Sequence, residues 1–314
     1  VIVQEARCME WTVTRLVEAS GGRLAQRGAG EILGRISTDT RTIEAGDVFV
    51  ALRGERFDGH SFLAAAAGRG VSAVVVEEAG GPWPGSLPAH VAVVAVHDTL
   101  YALGELARDQ RRRVSIPVVG ITGSNGKTST REMVAAILER RRTVLKTEGN
   151  FNNLIGLPLT LLSLTSRHEA AVVEMGINIP GEMARLAEIG APTAGLITNI
   201  HPAHLEGLGS LEAILAEKGK LWEALGPEGL AVVNAGDERL LAFSRHIAAR
   251  RVTWSLADGA ADVTLMGPVE VCEGVSRFSM NVAGKEASVS LAVMGEHQVS
   301  NALAAAALAW GLGE

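Results

Sequence analysis

The chain of 314 residues reads as two α/β units: a small mixed unit, then a larger one on a mostly parallel sheet with helices on both faces. Three observations predict this. Short apolar runs of strand character recur along the chain. From Ile116 onward each run is followed by a helical segment. Those later runs are apolar nearly throughout rather than alternating. Apolar strands separated by helices are what a sheet buried on both faces requires. A hydrophobic fraction of 47% and a charged fraction of 20% supply a globular chain with two cores.

In the first unit, residues 1–112, the strand-like runs are "VFVAL" (48–52), "VSAVVVE" (71–77) and "VAVVAV" (91–96). Between the first two, "HSFLAAAAGRG" (60–70) predicts a helix closed by glycine, with Asp58 or Ser61 as its start signal. "GGPWPGSLP" (80–88) is a loop by its Pro and Gly content. A helix from about Asp98 to Arg113 leads into the second unit, residues 113–314. There the strands are "PVVGIT" (117–122), "RTVLKT" (142–147), "EAAVVEM" (169–175), "AGLITNI" (194–200), "LAVVNA" (230–235) and "RVTWSL" (251–256). Helices start near Lys127, Asn153, Gly181, Ser210 and Asp237. Residues 261–294 read as β-hairpins, and "HQVSNALAAAALAWGLG" as a closing helix.

Composition excludes several classes. A net charge of −6 gives no global basic field toward nucleic acid or an anionic membrane. The cluster Arg111-Arg112-Arg113 reads as a solvated helix end. The two cysteines, Cys8 and Cys272, lie far apart without CxxC spacing. Neither a disulfide framework nor a zinc site is expected, and a reducing cytoplasm fits. The alanine-rich run 302–309 is too short to span a bilayer. The first residues are charged and carry no long apolar core, so no signal peptide is read.

The chemistry concentrates in "GITGSNGKTST" (120–130). A phosphate loop has a glycine, four residues, then Gly-Lys-Ser/Thr. Gly126-Lys127-Thr128 fits, but Ile121 stands where the first glycine belongs; Gly120 is one place early and Gly123 two places late. The context is nonetheless that of a phosphate loop, with a strand before and a helix after. Gly123 and Gly126 permit a tight backbone whose amides converge on phosphate oxygens at a helix N-terminus. Lys127 supplies charge, and Thr128 supplies a hydroxyl of the kind that holds Mg²⁺.

Function in such sheets gathers at the carboxyl ends of the strands. Glu174 ends one strand and is placed as an Mg²⁺ ligand. "TNIHPAHLEGLGS" (198–210) follows the next and offers His201, His204 and Glu206, without saying which histidine matters. Lys218 and Lys220 follow on a helix, where solvated surface lysines are the ordinary reading, kept for Lys220. The asparagines of "GNFNNLIGLP" (149–158) serve either as helix caps or as contacts to a polar ligand. Asn301, in "GEHQVSNALAA", is either a cap or an adenine contact.

Taken together these segments resemble the ATP-dependent Mur ligases of peptidoglycan synthesis. "GITGSNGKTSTREM" resembles their variant phosphate loop, which lacks the usual first-glycine spacing. "GNFNNLIGLPLTLL", "VVEMGINIPGEMARL", "LITNIHPAHLEGLGSLEAILAEKGKLW" and "GEHQVSNALAA" follow in that family's order. "STDTRTIEAGDVFVALRGERFDGHSFLAAAAGRG" resembles the family's UDP-binding first domain, with "STDTR" where Asp-Ser-Arg is commoner. The resemblance covers nearly the whole chain. It is strongest to the member that adds D-Ala-D-Ala to UDP-MurNAc-tripeptide. The tripeptide-making ligases, folylpolyglutamate synthases and non-ligase nucleotide binders are the alternatives.

The resemblance implies roles by position. Lys127 and the loop Gly123, Ser124, Asn125, Gly126, Thr128 and Ser129 would bind ATP. Thr128 and Glu174 would hold Mg²⁺, and His204 and a carbamylated Lys218 would serve a second Mg²⁺. Asn301 would contact adenine. Asn150, Asn152 and Asn153 would lie near the nucleotide-peptide substrate, and Asp39, Thr40, Arg41, Gly59 and His60 would form the uridine-diphosphate pocket. It also implies an acyl phosphate route, which needs no side-chain nucleophile, and a monomer. The family carries a third domain. This chain ends at Glu314, so by itself it is expected to bind nucleotide and to ligate weakly or not at all.

Overall fold

Helix starts fall on the polar residues that satisfy the first free backbone N–H groups. The Asp98 carboxylate accepts from Tyr101 N at 2.9 Å, the Ser210 hydroxyl from Ala213 N at 3.1 Å, and Asp237 from Arg239 N at 3.0 Å. Each replaces a bond that the helix cannot make internally. The computed structural model describes residues 9–314 apart from 55–56, 82, 84–86, 203–207 and 258. Residues up to 115 together with 154–166 make one compact unit, and 116–153 with 167–314 the other.

The first unit carries β1 (Trp11–Thr12), α1 (Val13–Ser20), β2 (Arg23–Gln26), β3 (Ile32–Leu33), β4 (Ile36–Ser37), β5 (Val48–Val50), α2 (Leu63–Gly68), β6 (Ala73–Glu77), β7 (Ala92–Val96) and α3 (Thr99–Arg112). Its five-stranded sheet has the order β2-β7-β6-β5-β4, parallel except for β2 at the edge. Successive side chains point to opposite faces. Val48, Val50, Val75 and Val94 therefore meet Leu16 of α1 and Leu103 and Leu106 of α3. Phe49, Val74, Val76 and Val93 meet Leu63 and Ala66 of α2. The segment expected as a helix over 60–70 begins as a 3-10 turn at Gly59–Phe62, opened by Asp58. Arg111 is buried, not solvated as its basic neighbours suggested, and donates to the Val114 carbonyl.

The second unit follows with β8 (Val118–Thr122), α4 (Lys127–Leu138) and β9 (Val144–Lys146). The chain then returns to the first unit for α5 (Gly156–Leu162). It continues as β10 (Ala170–Glu174), α6 (Glu182–Gly190), β11 (Ala194–Ile197), α7 (Leu211–Glu223), β12 (Leu230–Asn234), α8 (Glu238–Phe243), β13 (Arg250–Ser255), β14 (Val263–Cys272), β15 (Val275–Val282), β16 (Lys285–Leu291) and α9 (Glu296–Gly311). The nine strands are ordered β16-β15-β14-β13-β12-β11-β8-β10-β9. Residues 261–294 do form hairpins, but not a separate piece. β14 first pairs parallel with β13 at Trp254↔Val263, and only then do β15 and β16 turn back antiparallel.

One face of this sheet is covered by α4 and α9, where Val134, Leu138, Leu303 and Leu308 pack on Val119, Ile121, Val172 and Leu196. On the other face α7 presses into the sheet. A Cβ at Gly120 would lie 2.8 Å from Leu221 Cδ1, and one at Gly195 would lie 3.1 Å from Leu221 Cγ. Trp222 Nε1 donates to the Gly195 carbonyl at 3.0 Å. Gly120 is thus a packing glycine, which is why it stands one place early for a phosphate loop.

Candidate active site

β8 delivers the chain, fully buried, to the turn at Gly123. Gly123 has φ 145° and Gly126 φ 81°, backbone that L side chains rarely adopt. A side chain at Gly123 would run into Thr198 Oγ1, and a Cβ at Gly126 would lie 2.5 Å from Asn301 Oδ1. Gly126 also serves as the N-cap of α4 and offers no capping side chain. The first amides of α4 therefore face outward at the positive end of the helix dipole, a disposition that favours an anion.

The earlier part of the loop is spoken for. Ser124 N donates to the Asn199 carbonyl at 3.0 Å, and Asn125 N to Asn199 Oδ1 at 3.0 Å. Thr198 Oγ1 donates to the Asn125 carbonyl at 2.6 Å, and His201 N to Ser124 Oγ at 2.9 Å. These bonds lace the loop to the segment that leaves β11, so Ser124 and Asn125 shape the loop. Among the described residues, the amides without a partner begin at its far end, beside Lys127, Thr128 and Ser129.

Around this turn the structure gathers charge. Lys127 Nζ donates to the Gly123 carbonyl at 2.9 Å, and Lys218 Nζ, from α7, to the same oxygen at 3.2 Å. Lys218 is 1% exposed, unlike the solvated lysine that the helix alone would suggest. Burial pushes its pKa down to about 8, helped by the neighbouring Lys127 ammonium and opposed by Glu217. Burial also lowers Lys127, with Glu174 acting against it. Lys220, on the other side of the same helix, pairs with Glu217 at 2.6 Å.

Glu174 is 2% exposed at the end of β10. Its Oε2 accepts from Thr128 Oγ1 at 3.0 Å and its Oε1 from Asn152 Nδ2 at 2.8 Å. A hydroxyl and a carboxylate held side by side are hard oxygen donors suited to Mg²⁺. His204 and Glu206 lie outside the described residues, so the second-metal expectation stands on Lys218 alone here. Asn301 is no cap: α9 begins at Glu296 behind Gly295, and Asn301 sits in its second turn against Gly126. The N-cap position of α5 is Ile155. Asn152 instead reaches Glu174, while Asn150 and Asn153 are exposed. Beside the loop, at the ends of β11 and β12, a cavity of about 520 Å³ is lined by Asn199, His201, Asn234, Asp237 and Arg239.

In the first unit, Asp39, Thr40, Arg41 and Gly59 line another cavity of about 520 Å³ with Phe57 and Phe62. Arg41 is bound by the Asp39 carboxylate, which those bonds hold down to a pKa of about 2. His60 is different. Its Nε2 accepts from Glu77 N at 2.9 Å, so the ring proton sits on Nδ1 and is donated to Asp58 Oδ1 at 2.6 Å. Trp83 stacks on the ring at 5.0 Å. With both nitrogens engaged by the protein, His60 holds the turn that presents Gly59.

Sequence reasoning missed Arg131, Thr198, Asn199 and Glu217. The last accepts from Gly181 N and Met183 N at 2.9 and 3.0 Å and so caps α6 from α7. A signal for Glu217 and Lys218 was present: with Gly219, the buried residues of α7 are Ile214, Glu217, Lys218, Leu221 and Trp222, and these five are spaced as one helical face.

The turn at Gly123–Gly126 opening α4, the buried carboxylate of Glu174 and two lysines converging on one loop carbonyl make a geometry that suits an anionic ligand. The chain matches the Mur ligase middle domain over residues 121–309 and the Mur ligase family catalytic domain over 33–111. The chain belongs to the Mur ligase family. It is 39% identical to the UDP-N-acetylmuramoyl-tripeptide--D-alanyl-D-alanine ligase of Escherichia coli, covering 96% of this chain and 65% of that one. It is 38% identical to the enzyme of the same name from Bacillus subtilis, over 94% and 63%. Among solved structures it resembles MurF from Acinetobacter baumannii, with a TM-score of 0.88 and 34% identity over 97% of this chain and 66% of that one. It also resembles MurF from Thermotoga maritima in complex with ADP, with a TM-score of 0.80 and 30% identity over 89% and 63%. The chain thus spans just under two thirds of the length of these curated relatives.

Proposed function

We propose that this chain supplies the substrate-binding and ATP-binding parts of an ADP-forming ligase that joins D-Ala-D-Ala to UDP-MurNAc-tripeptide. The observation that carries the reading is the convergence of Lys127 and Lys218 on the Gly123 carbonyl beside the Thr128–Glu174 pair. The names of the relatives at 38–39% identity support the choice of substrates over those of the tripeptide-making and folate ligases.

In this reading the open amides from Gly126 onward and Lys127 take the β- and γ-phosphates, with Asn301 on the adenine side. Thr128 and Glu174 hold one Mg²⁺; His204 and Lys218 serve a second. Bound there, Mg²⁺ offsets phosphate charge and polarises the γ-phosphoryl group. A lysine enters such a site by reaction of its neutral amine with CO₂, giving a carbamate anion and a proton. A pKa of about 8 leaves about a tenth of Lys218 neutral at pH 7. Asp39, Thr40, Arg41 and Gly59, with the rings of Phe57 and Phe62, hold the uridine diphosphate. The Asn150–Asn153 segment meets the peptide arm.

The tripeptide carboxylate attacks the γ-phosphorus and ADP leaves. The amine of D-Ala-D-Ala adds to the acyl phosphate, and the tetrahedral intermediate expels phosphate to give the amide. Positioning and charge neutralisation do this work. ATP and a nucleotide-linked substrate place the proposed reaction in the cytoplasm, and no described helix is long and apolar enough to cross a membrane.

The test uses the full-length protein. ADP release is measured with UDP-MurNAc-tripeptide and ATP, with and without D-Ala-D-Ala. Stimulation by D-Ala-D-Ala is expected. Stimulation by a single amino acid instead, with none by the dipeptide, overturns the substrate assignment.

A further inference from the structure

Arg131 has no part in the chemistry above, yet it is 3% exposed. It lies on α4, one turn beyond Lys127. Its Nη1 donates to the Gly149 carbonyl at 3.1 Å and lies 3.4 Å from Glu174 Oε2. Its Nε and Nη2 hold Glu132 Oε1 at 3.2 and 2.6 Å, and Glu132 is held in turn by Lys146 at 3.0 Å. The other Glu174 oxygen accepts from Asn152, whose own carbonyl accepts from Gly176 N at 2.8 Å, just past the end of β10. A closed ring results: Arg131 to Glu174, Glu174 to Asn152, and the backbone from Asn152 to Gly149 back to Arg131. Gly149, Asn150 and Phe151 are themselves exposed, so an outward-facing loop is pinned from beneath by a buried guanidinium.

A buried guanidinium is retained at a desolvation cost that good geometry must offset. Here Nη1 serves two partners at once, a carboxylate of the metal site and a carbonyl of the loop, while Nε and Nη2 are fixed by Glu132. We propose that Arg131 is a positioning residue that couples the Gly149–Asn152 loop to the phosphate and metal site, so that ordering one orders the other. This rests on the reading that the loop meets the UDP-linked substrate and that Glu174 serves the magnesium nucleotide. Two ligands that each order the same ring tighten one another's binding by the same factor. Arg131 is where that factor is set.

The experiment measures the affinity of full-length protein for Mg-ADP by calorimetry, with and without saturating UDP-MurNAc-tripeptide. The ratio of the two dissociation constants is the coupling factor. The parent is expected to show about 5-fold or more. R131Q, which keeps a donor toward Gly149 and removes the charge, is expected to bring the factor to near 1 while the affinity for Mg-ADP alone moves less than about 3-fold. R131K, which keeps charge without the fork, is expected to fall between the two. A parental coupling factor in R131Q overturns the proposal. So does an equal loss of both affinities with the factor unchanged, the mark of a merely structural role. If R131Q melts below the assay temperature, R131K decides: a factor below the parent's supports the proposal and one equal to it overturns it. A parent that binds both ligands with a factor of 1 sinks the coupling alone, whereas a parent that binds no UDP-MurNAc-tripeptide sinks the functional reading beneath it.

Discussion

The two units hold their polar groups in opposite ways. In the first, Asp39 and Arg41 stand two residues apart, and the carboxylate receives the arginine's backbone N–H and its side chain. The pair is solvent-facing, with the Arg41 side chain 87% exposed. It needs little beyond its own turn. In the second, Lys127, Arg131, Glu174 and Lys218 come from three elements and meet only when the sheet is assembled. All but Lys127 are buried to 3% exposure or less. A local, screened pair tolerates loss of a member; the buried Arg131–Glu174 pair does not, because removing either strands the other's charge.

The sharpest test of that contrast is Glu174→Ala. It leaves Arg131 without its buried carboxylate and is expected to cost about 3–5 kcal/mol of stability, read by chemical denaturation. A loss under 1 kcal/mol would break the comparison. Lys127→Ala should leave the fold intact and lower the turnover of full-length protein about 100-fold, measured by ADP release. Gly120→Ala adds a methyl against Leu221 and is expected to cost about 1–3 kcal/mol through overpacking, again by denaturation.

An effect of similar size, but dependent on pH, tests the burial of Lys218. The folded chain releases that proton near pH 8, while the unfolded chain keeps it to about 10.4. Between these values the unfolded state binds more protons, so stability due to this group rises with pH across that window and is lost again as pH falls to 8. Lys218→Met should abolish this part of the rise, seen as a parent-minus-variant difference between pH 7.5 and 10. The smallest effect belongs to the first unit. Asp39→Asn should cost less than about 1 kcal/mol. Its pH signature lies lower, since stability from Asp39 is present above pH 3.8 and is lost as the pH falls through about 2.

The same contrast governs what could be read from sequence. The strands were legible because their apolar runs are nearly unbroken. Asp98, Ser210 and Asp237 marked helix starts because capping is a local matter. Glu174 was legible as a lone acid closing an apolar strand. Arg131 was not: an arginine early in a helix looks solvated until a carboxylate forty-three residues on packs against it. His60 was placed in the pocket by the family resemblance, whereas its contacts with Asp58, Glu77 and Trp83 hold it as a brace. Lys218 and Lys220 look alike in "AEKGKLW". They part only when the apolar stripe of the helix is laid on the sheet.

That stripe gives Gly120 a consequence beyond its own strand. Leu221 lies one turn beyond Lys218 on α7, on the same face, and seats where Gly120 and Gly195 carry no side chain. The depth of this seat fixes how far the Lys218 amine extends toward the carbonyl of Gly123. Two missing methyl groups on neighbouring strands thus act as a gauge for a cation on a separate helix. The reach of Lys218 into the site is calibrated to the thickness of a single carbon.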